Sequence, residues 1–333
     1  MPMLRIAYRE MHETLTRILI QYGFNSDRAA TCSRLFTETT CDGVYSHGLN
    51  RFPRFIKTIA NGSVRVEAVP FPVLRCGALE RWDGGRGPGN LNAYQSMERA
   101  IELSRKFGVG CVALANTNHW MRGGSYGWQA ADAGVIGICW TNTMPNLPPW
   151  GAAEPRLGNN PLVIAIPRAG GHVVLDMAMS QFSYGALASY RAAGSLLPVE
   201  GGFDTDGNLT RDPAAIERSQ RPLPIGYWKG SGLSLTLDMI AAMLSAGLAT
   251  YQIQADELRE TAISQIFLAF NLASLGPAED SMTIAEQILE HLQANTAGND
   301  VRYPGEKILK TRAENRLLGI PADPAIWAEV QKL

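Results

Sequence analysis

The chain has 333 residues, 46% hydrophobic and 18% charged, and its 30 Lys and Arg stand against 31 Asp and Glu for a formal charge of −1. A charged share below the roughly 25% of ordinary soluble domains implies extensive covered surface, in a large core or a subunit contact. Balanced charge without a basic or acidic block argues against a nucleic-acid binder or a membrane-surface protein, and the apolar content excludes disorder as the dominant state.

Five cysteines (Cys32, Cys41, Cys76, Cys111 and Cys139) are odd in number and lack CxxC spacing, so neither a disulfide framework nor a zinc ribbon is expected. The first residues hold no apolar signal core. The longest apolar stretch, 233–248, is interrupted by Asp238 and reads as a buried helix. A cytoplasmic protein is the expectation.

In chain order, Ile6, Met11, Leu15, Ile18 and Leu19 repeat at helical spacing and stop at Gly23. Ser26-Asp27 signals the start of a second helix running toward Cys41, and 49–60 is a third, restarted at Pro53. From residue 73 the texture changes to alternating strands and helices. Strands are predicted at 109–115, 135–140, 162–167, 173–177 and 266–270. Helices are predicted at 92–107, 125–133, 182–193, 232–246 and 283–294. Such alternation predicts an α/β sheet. The Gly-, Pro- and Asp-rich stretch 195–229 reads as an irregular wall or lid. Helices return at 308–318 and 324–332, and their amphipathic character pairs them with the N-terminal helices as one helical subdomain. The expected division is therefore 1–72, an α/β cofactor-binding domain at 73–300, and 301–333 packing with the N-terminal part.

Familiar nucleotide and catalytic signatures are missing. No Gly-Lys dipeptide exists for a Walker A loop, and Gly108-x-Gly110-x-x-Ala113 follows a helix and enters a strand, the reverse of a dinucleotide fingerprint. HExxH and GxSxG are absent, and no metal site is expected.

Five clusters could carry chemistry. His47 follows Tyr45-Ser46, precedes Gly48, and stands four residues before Arg51, so a helix would put acid and carboxylate anchor on one face. A helix-terminal His bonded to backbone is the structural alternative. His119 follows a predicted strand and precedes Trp120-Met121-Arg122-Gly123-Gly124, the place where α/β sites lie, although Trp120 and Trp128 could simply pack there. Thr141 to Pro145, with Pro149-Trp150-Gly151 and 157–161, suits a ligand wall. Asp176-Met177-Ala178-Met179-Ser180 follows another strand. In 223–234, Lys229 stands among glycines and hydroxyls ahead of a helix and could meet a phosphate or carboxylate, beyond what capping explains.

At these clusters the sequence resembles the malate/L-lactate dehydrogenase-like oxidoreductases, which use NAD(P) without a Rossmann fold. The resemblance rests on Ser46-His47-Gly48, Asn118-His119, Pro149-Trp150-Gly151, Leu157-Gly158 through Asn160-Pro161, Leu175-Asp176-Met177-Ala178, Asp206-Gly207-Asn208, Lys229-Gly230 and Gly232-Leu233. It implies a non-Rossmann mixed sheet, a homodimer with the site near the interface, and NAD(H), with NADP(H) as the alternative cofactor. It assigns the cofactor to His172, Val173, Val174, Leu175, Asp176, Met177 and Ala178, to Trp228 and Lys229, and to Gly305, Glu306 and Lys307. It makes His47 the proton donor and gives His119 an acid–base role. The residues around Tyr45–His47, 119–128 and 226–232 are similar to a branch acting on sugar acids, so hydride transfer to the ketone of a sugar acid is expected, with Arg51 on its carboxylate. Two rival readings are a sister dehydrogenase of malate, lactate or ureidoglycolate type and a non-catalytic sugar-acid-binding protein. Met179 and Asn159 depart from the residues commoner in the family.

Overall fold

The computed structural model of the chain describes residues 4–294 and 301–333, so residues 1–3 and the expected boundary at 300 lie outside the described residues. Strand β1 (Leu4–Ile6) leads into helix α1 (Tyr8–Gln21), which buries Met11, Leu15, Ile18 and Leu19. Helix α2 (Ser26–Cys41) is capped one residue earlier than expected, by the side chain of Asn25 accepting from the Arg28 amide. The expected third helix is divided. Residues Tyr45–His47 and Leu49–Arg51 form 3-10 turns, and α3 (Phe52–Ala60) begins so that Pro53 falls in its first turn, where a missing N–H costs nothing.

Strands β2 (Phe71–Cys76) and β3 (Leu79–Asp83) precede α4 (Gly89–Phe107), β4 (Val109–Asn118), α5 (Gly124–Asp132), β5 (Val135–Thr141), β6 (Leu162–Ile166) and β7 (Val173–Met177). Next come α6 (Tyr184–Ala192), the small hairpin β8 (Gly202–Phe203) and β9 (Leu209–Thr210), α7 (Pro213–Ser219) and α8 (Trp228–Ser245). Strand β10 (Thr261–Asn271), α9 (Ala278–Gln293), α10 (Glu306–Leu318), β11 (Ile320–Ala322) and α11 (Pro324–Gln331) complete the chain.

Seven strands form one mixed sheet in the order β2-β3-β4-β10-β5-β6-β7, with β3 and β4 parallel and the other neighbours antiparallel. Helices α4 and α5 cover one face, where Ala93, Met97 and Ala130 meet Val112, Val163 and Phe267. Helix α8 covers the other with Leu237 and Ala241 against Ala113, Trp140 and Ile266. Both ends of the chain meet in a separate core, where β1 pairs antiparallel with β11 and Phe36, Phe52 and Phe55 pack beside Trp327 and Val330. Each buried ring contributes about 2–3 kcal/mol of burial. The stretch 195–229 is more ordered than expected: Asp212 caps α7 with Pro213 in its first turn, and Leu187, Leu197 and Ile216 form a small core.

Candidate active site

His47 is positioned by a close backbone approach. Thr40 of α2 donates to the Phe36 carbonyl at 2.7 Å and accepts the Leu49 amide at 2.9 Å, drawing the chain over the end of the helix. A Cβ at Gly48 would lie 2.4 Å from Thr40 Oγ1, so only glycine fits after His47. Ser46 Oγ stands 3.0 Å from His47 Nδ1. Helix α6 closes from the other side, its Gly185 so near that a Cβ would be 2.7 Å from that of Ser46.

His119 arrives from the end of β4. Met121, two residues on, has a φ of +65°, a conformation that costs on the order of 1–3 kcal/mol for a side-chain-bearing residue. Burial of the Met121 side chain in the helical core and donation of its amide to His119 Nδ1 at 3.0 Å offset that strain. With Nδ1 accepting, neutral His119 carries its proton on Nε2. The two imidazoles stack with centroids 5.8 Å apart and planes 17° from parallel.

A cavity beside them is lined by Arg51, Arg54, Asn118, His119, Glu257 and Glu260. Arg54 pairs with Glu257, and Glu260 accepts the Met144 amide at 3.0 Å. Among the described residues Arg51 has no ion-pair partner, so its guanidinium is available to an incoming anion. Burial pushes the pKa of His47 down to about 4, with the charges of Arg51, Arg122 and Arg54 adding to the effect. Burial, Arg51, His47 and Arg54 hold His119 well below its usual value. Both rings are therefore neutral at pH 7 in the free chain, and a bound carboxylate on Arg51 would relieve the repulsion.

One carboxylate ties this corner to the rest of the molecule. Asp42, at the end of α2, takes Arg312 of α10 at 2.6 and 2.7 Å and pairs with Arg122. Arg122 is 5% exposed, and its Nε stands 4.0 Å from Asp176 of β7, whose carboxylate accepts the Gly124 amide at 2.8 Å.

The expected cofactor segments are distributed along β7, the outer strand of the sheet. At its start Val174 donates its amide to Pro304 at 3.0 Å, and Gly305, with a φ of +96°, is so close that a Cβ would lie 3.1 Å from the Val174 nitrogen. At its far end Ile225 donates to Met179 at 2.8 Å and Ser180 bridges Pro224, which puts Trp228 and Lys229 at the start of α8 just beyond. His172 has its ring engaged elsewhere, Nδ1 accepting from Arg168 and Nε2 3.0 Å from Asp132. Glu306 holds Lys310 with one oxygen at 3.2 Å, while the buried Oε2 has no partner among the described residues. Trp228 is 67% exposed and Trp150 packs on Tyr227 with centroids 4.9 Å apart. Among the described residues no side-chain hydrogen bond or ring contact links Trp228, Lys229 or Lys307 to the imidazole pair.

One expectation changes. Asn142 and Asn160 do not form a ligand wall: both are fully buried and fully engaged, Asn142 with Asp238, Leu248 and Ser264, Asn160 with Thr143 and Ser234. They brace the sheet against α8. The departures at Met179 and Asn159 are packing features too, Met179 buried in the core under α8 and Asn159 accepting the Ser180 amide at 2.9 Å. Sequence reasoning missed Asp42, Glu257 and Glu260, since an isolated acid carries no local signal of its distant partner.

A family model described as malate/L-lactate dehydrogenase matches residues 6–331. A 2,3-diketo-L-gulonate reductase of Escherichia coli O6:K15:H31 (strain 536 / UPEC) is 48% identical over 335 aligned positions, covering 99% of this chain and 100% of the relative. The protein of the same name from Escherichia coli (strain K12) is 47% identical with the same coverage. Among solved structures, sulfolactate dehydrogenase from Methanocaldococcus jannaschii superposes with a TM-score of 0.91 at 26% identity, over 99% of this chain and 96% of that one. Malate dehydrogenase from Pyrococcus horikoshii OT3 gives 0.89 at 26% identity, over 99% and 94%.

Proposed function

Since the chain belongs to the malate/L-lactate dehydrogenase family, and is thereby an oxidoreductase of the 2-hydroxy-acid type, we propose that it reduces the C2 ketone of 2,3-diketo-L-gulonate to give 3-keto-L-gulonate. The substrate is taken from the name of the 48%-identical relative. A free guanidinium at Arg51 beside two imidazoles suits a 2-keto acid, whose carboxylate it would hold while the ketone faces the rings.

The nicotinamide cofactor, when bound, supplies the hydride to C2. His47 donates the proton to the carbonyl oxygen and is reprotonated from solvent. The observation that carries this assignment is the difference between the two rings at Nδ1. His119 accepts a backbone amide there, so adding a proton would break that bond. His47 faces the Ser46 hydroxyl, which can donate or accept, so the ring can hold either protonation state. His119, a fixed N–H donor through Nε2, polarises and orients the ketone.

NADH is the preferred cofactor in this reading. The unpartnered buried oxygen of Glu306 suits the hydroxyls of an adenosine ribose, and a carboxylate there would repel a 2′-phosphate. Gly305 leaves room for close approach to β7. A homodimer is supported by α8, which leaves Leu235, Met239, Ile240 and Met243 exposed after covering the sheet. Sedimentation at twice the chain mass would support it, and at one chain mass would refute it. The five cysteines are free thiols, as suits a reducing cytoplasm, and among the described residues no helix is long and apolar enough to cross a membrane.

The test is loss of NADH absorbance with 2,3-diketo-L-gulonate, with pyruvate and oxaloacetate alongside and NADPH in parallel. Rapid oxidation with the diketo acid supports the substrate. Activity with the simple keto acids alone keeps the family and discards the sugar acid, and silence with all three overturns the reading.

A further inference from the structure

The cavity beside His119 holds acceptors that the reaction above leaves unused. Glu260, just ahead of β10, gives Oε1 to the Met144 amide, and its Oε2 has no partner among the described residues. Neither Arg51 nor Arg54 comes within ion-pairing distance of it, and Arg54 is already taken by Glu257. Asn118 spends its Nδ2 on the carbonyls of Arg86 and Gly87 at 2.7 and 2.9 Å, which leaves its Oδ1 without a partner among the described residues. Phe55, Val64 and Met121 wall the same cavity with apolar surface.

Two acceptors that face this cavity without protein donors can take hydrogen bonds from a ligand that brings donors. A carboxylate on Arg51 brings none. Hydroxyl groups on the carbons beyond the reacting ketone do, and each can donate to one acceptor. The carboxylate of Glu260 also opposes a second anionic group at that end of a ligand.

We propose that Glu260, with Asn118, is the specificity-determining group of this site, selecting polyhydroxylated monoanionic 2-keto acids over short ones and over dianions. The inference rests on the reading that places the carboxylate on Arg51 and the ketone at His47. Glu260 does not touch the reacting carbon; it takes hold of the far end of the substrate.

The experiment is kcat/KM for 2,3-diketo-L-gulonate, 2-ketobutyrate and oxaloacetate on the wild-type enzyme and on Glu260→Gln. Glutamine keeps an oxygen for the Met144 amide and removes the charge. The ratio of the diketo acid to 2-ketobutyrate should fall about 10–100-fold, the range for losing a hydrogen bond to a charged group. The ratio of oxaloacetate to 2-ketobutyrate should rise. A uniform fall on all three substrates would make Glu260 a structural brace and overturn the proposal, as would unchanged ratios. Glu260→Asp, which keeps the charge but withdraws it by one carbon, should give an intermediate diketo-acid ratio; ratios equal to the wild-type values would likewise overturn it. If the wild-type enzyme reduces none of the three, the parent reading fails with the inference. If it reduces the diketo acid and Glu260→Gln leaves the ratios unmoved, the inference fails alone.

Discussion

Around His47 and His119 the polypeptide is tightly held: a glycine pressed against Thr40, a strained Met121, a backbone amide on one imidazole and a hydroxyl on the other. Along β7 the proposed cofactor-binding elements lie on an outer strand, with Trp228 exposed and one Glu306 oxygen without a partner among the described residues. Proton transfer needs its groups fixed to a fraction of an ångström before the substrate arrives, so strain and burial are accepted there. An extended dinucleotide is held by many modest contacts, and an open strand edge serves for that. In the proposed reading two kinds of construction thus serve two halves of one reaction.

The sharpest test of the fixed half is His47→Ala, for which turnover should fall about 10²–10⁴-fold, the usual share of a general acid, with cofactor affinity little changed. His119→Ala should cost less in turnover. The reverse order would transfer the acid role to His119. The pH profile offers a second reading of the same group. In the proposed mechanism reduction requires protonated His47, and the protonated fraction shrinks as pH rises above a pKa of about 4. The kcat/KM for reduction should therefore drop roughly tenfold per pH unit from about pH 5 upward, while oxidation, which needs the neutral ring, should be flat over that range. In Arg51→Met one cause of the low pKa is gone, so the bend should move to higher pH. A wild-type reductive plateau extending to neutral pH would mean that His47 titrates higher than its burial implies, and the loss of turnover in His47→Ala would then decide the donor.

Asp42 is where the two halves are joined, because its carboxylate holds Arg122 toward β7 and Arg312 of α10. Asp42→Asn should leave buried Arg122 with only Asp176, 4.0 Å away, as counter-ion and destabilise the protein by about 3 kcal/mol, read as a lower denaturant midpoint. If the halves depend on this link, cofactor affinity should weaken together with turnover; loss of turnover alone would mean that β7 stands without it.

Much of this architecture is legible in the sequence, and the exceptions follow from physics. While the cap of α2 falls one residue early, at Asn25, the helix end at Cys41 and the strand bounds Val173–Met177 are met because periodicity is a local signal. The pairing of β1 with β11 is not, since three residues such as Leu4–Ile6 carry no period and their partner lies at the other end of the chain. Strands β2 and β3 are hidden by Pro72 and by charged side chains at Arg75, Glu80 and Arg81, tolerable because β2 is an outer strand. Helix α7 had its Asp212-Pro213 start in plain view inside a stretch read as irregular. Within the site, His47, Arg51 and His119 stand in clusters dense in glycine and polar residues, whereas Glu260 is one acid in a polar loop whose importance comes only from what the fold sets opposite it.

The mildest effect belongs to the open half and concerns which dinucleotide it takes. Glu306 Oε1 is held by Lys310 and Oε2 is buried with no partner among the described residues, so the side chain presents a single negative acceptor beside Gly305. In the proposed reading that oxygen would meet a ribose hydroxyl of NADH and would face a phosphate of like charge in NADPH. Glu306→Gln keeps the shape, removes the repulsion and weakens the hydroxyl contact, so both changes act in one direction on the ratio. The kcat/KM for NADPH relative to NADH should rise about tenfold, corresponding to roughly 1.4 kcal/mol, and the gain should shrink at high ionic strength as screening weakens the original repulsion. An unchanged ratio would remove Glu306 from the choice of cofactor while leaving the proton chemistry at His47 untouched.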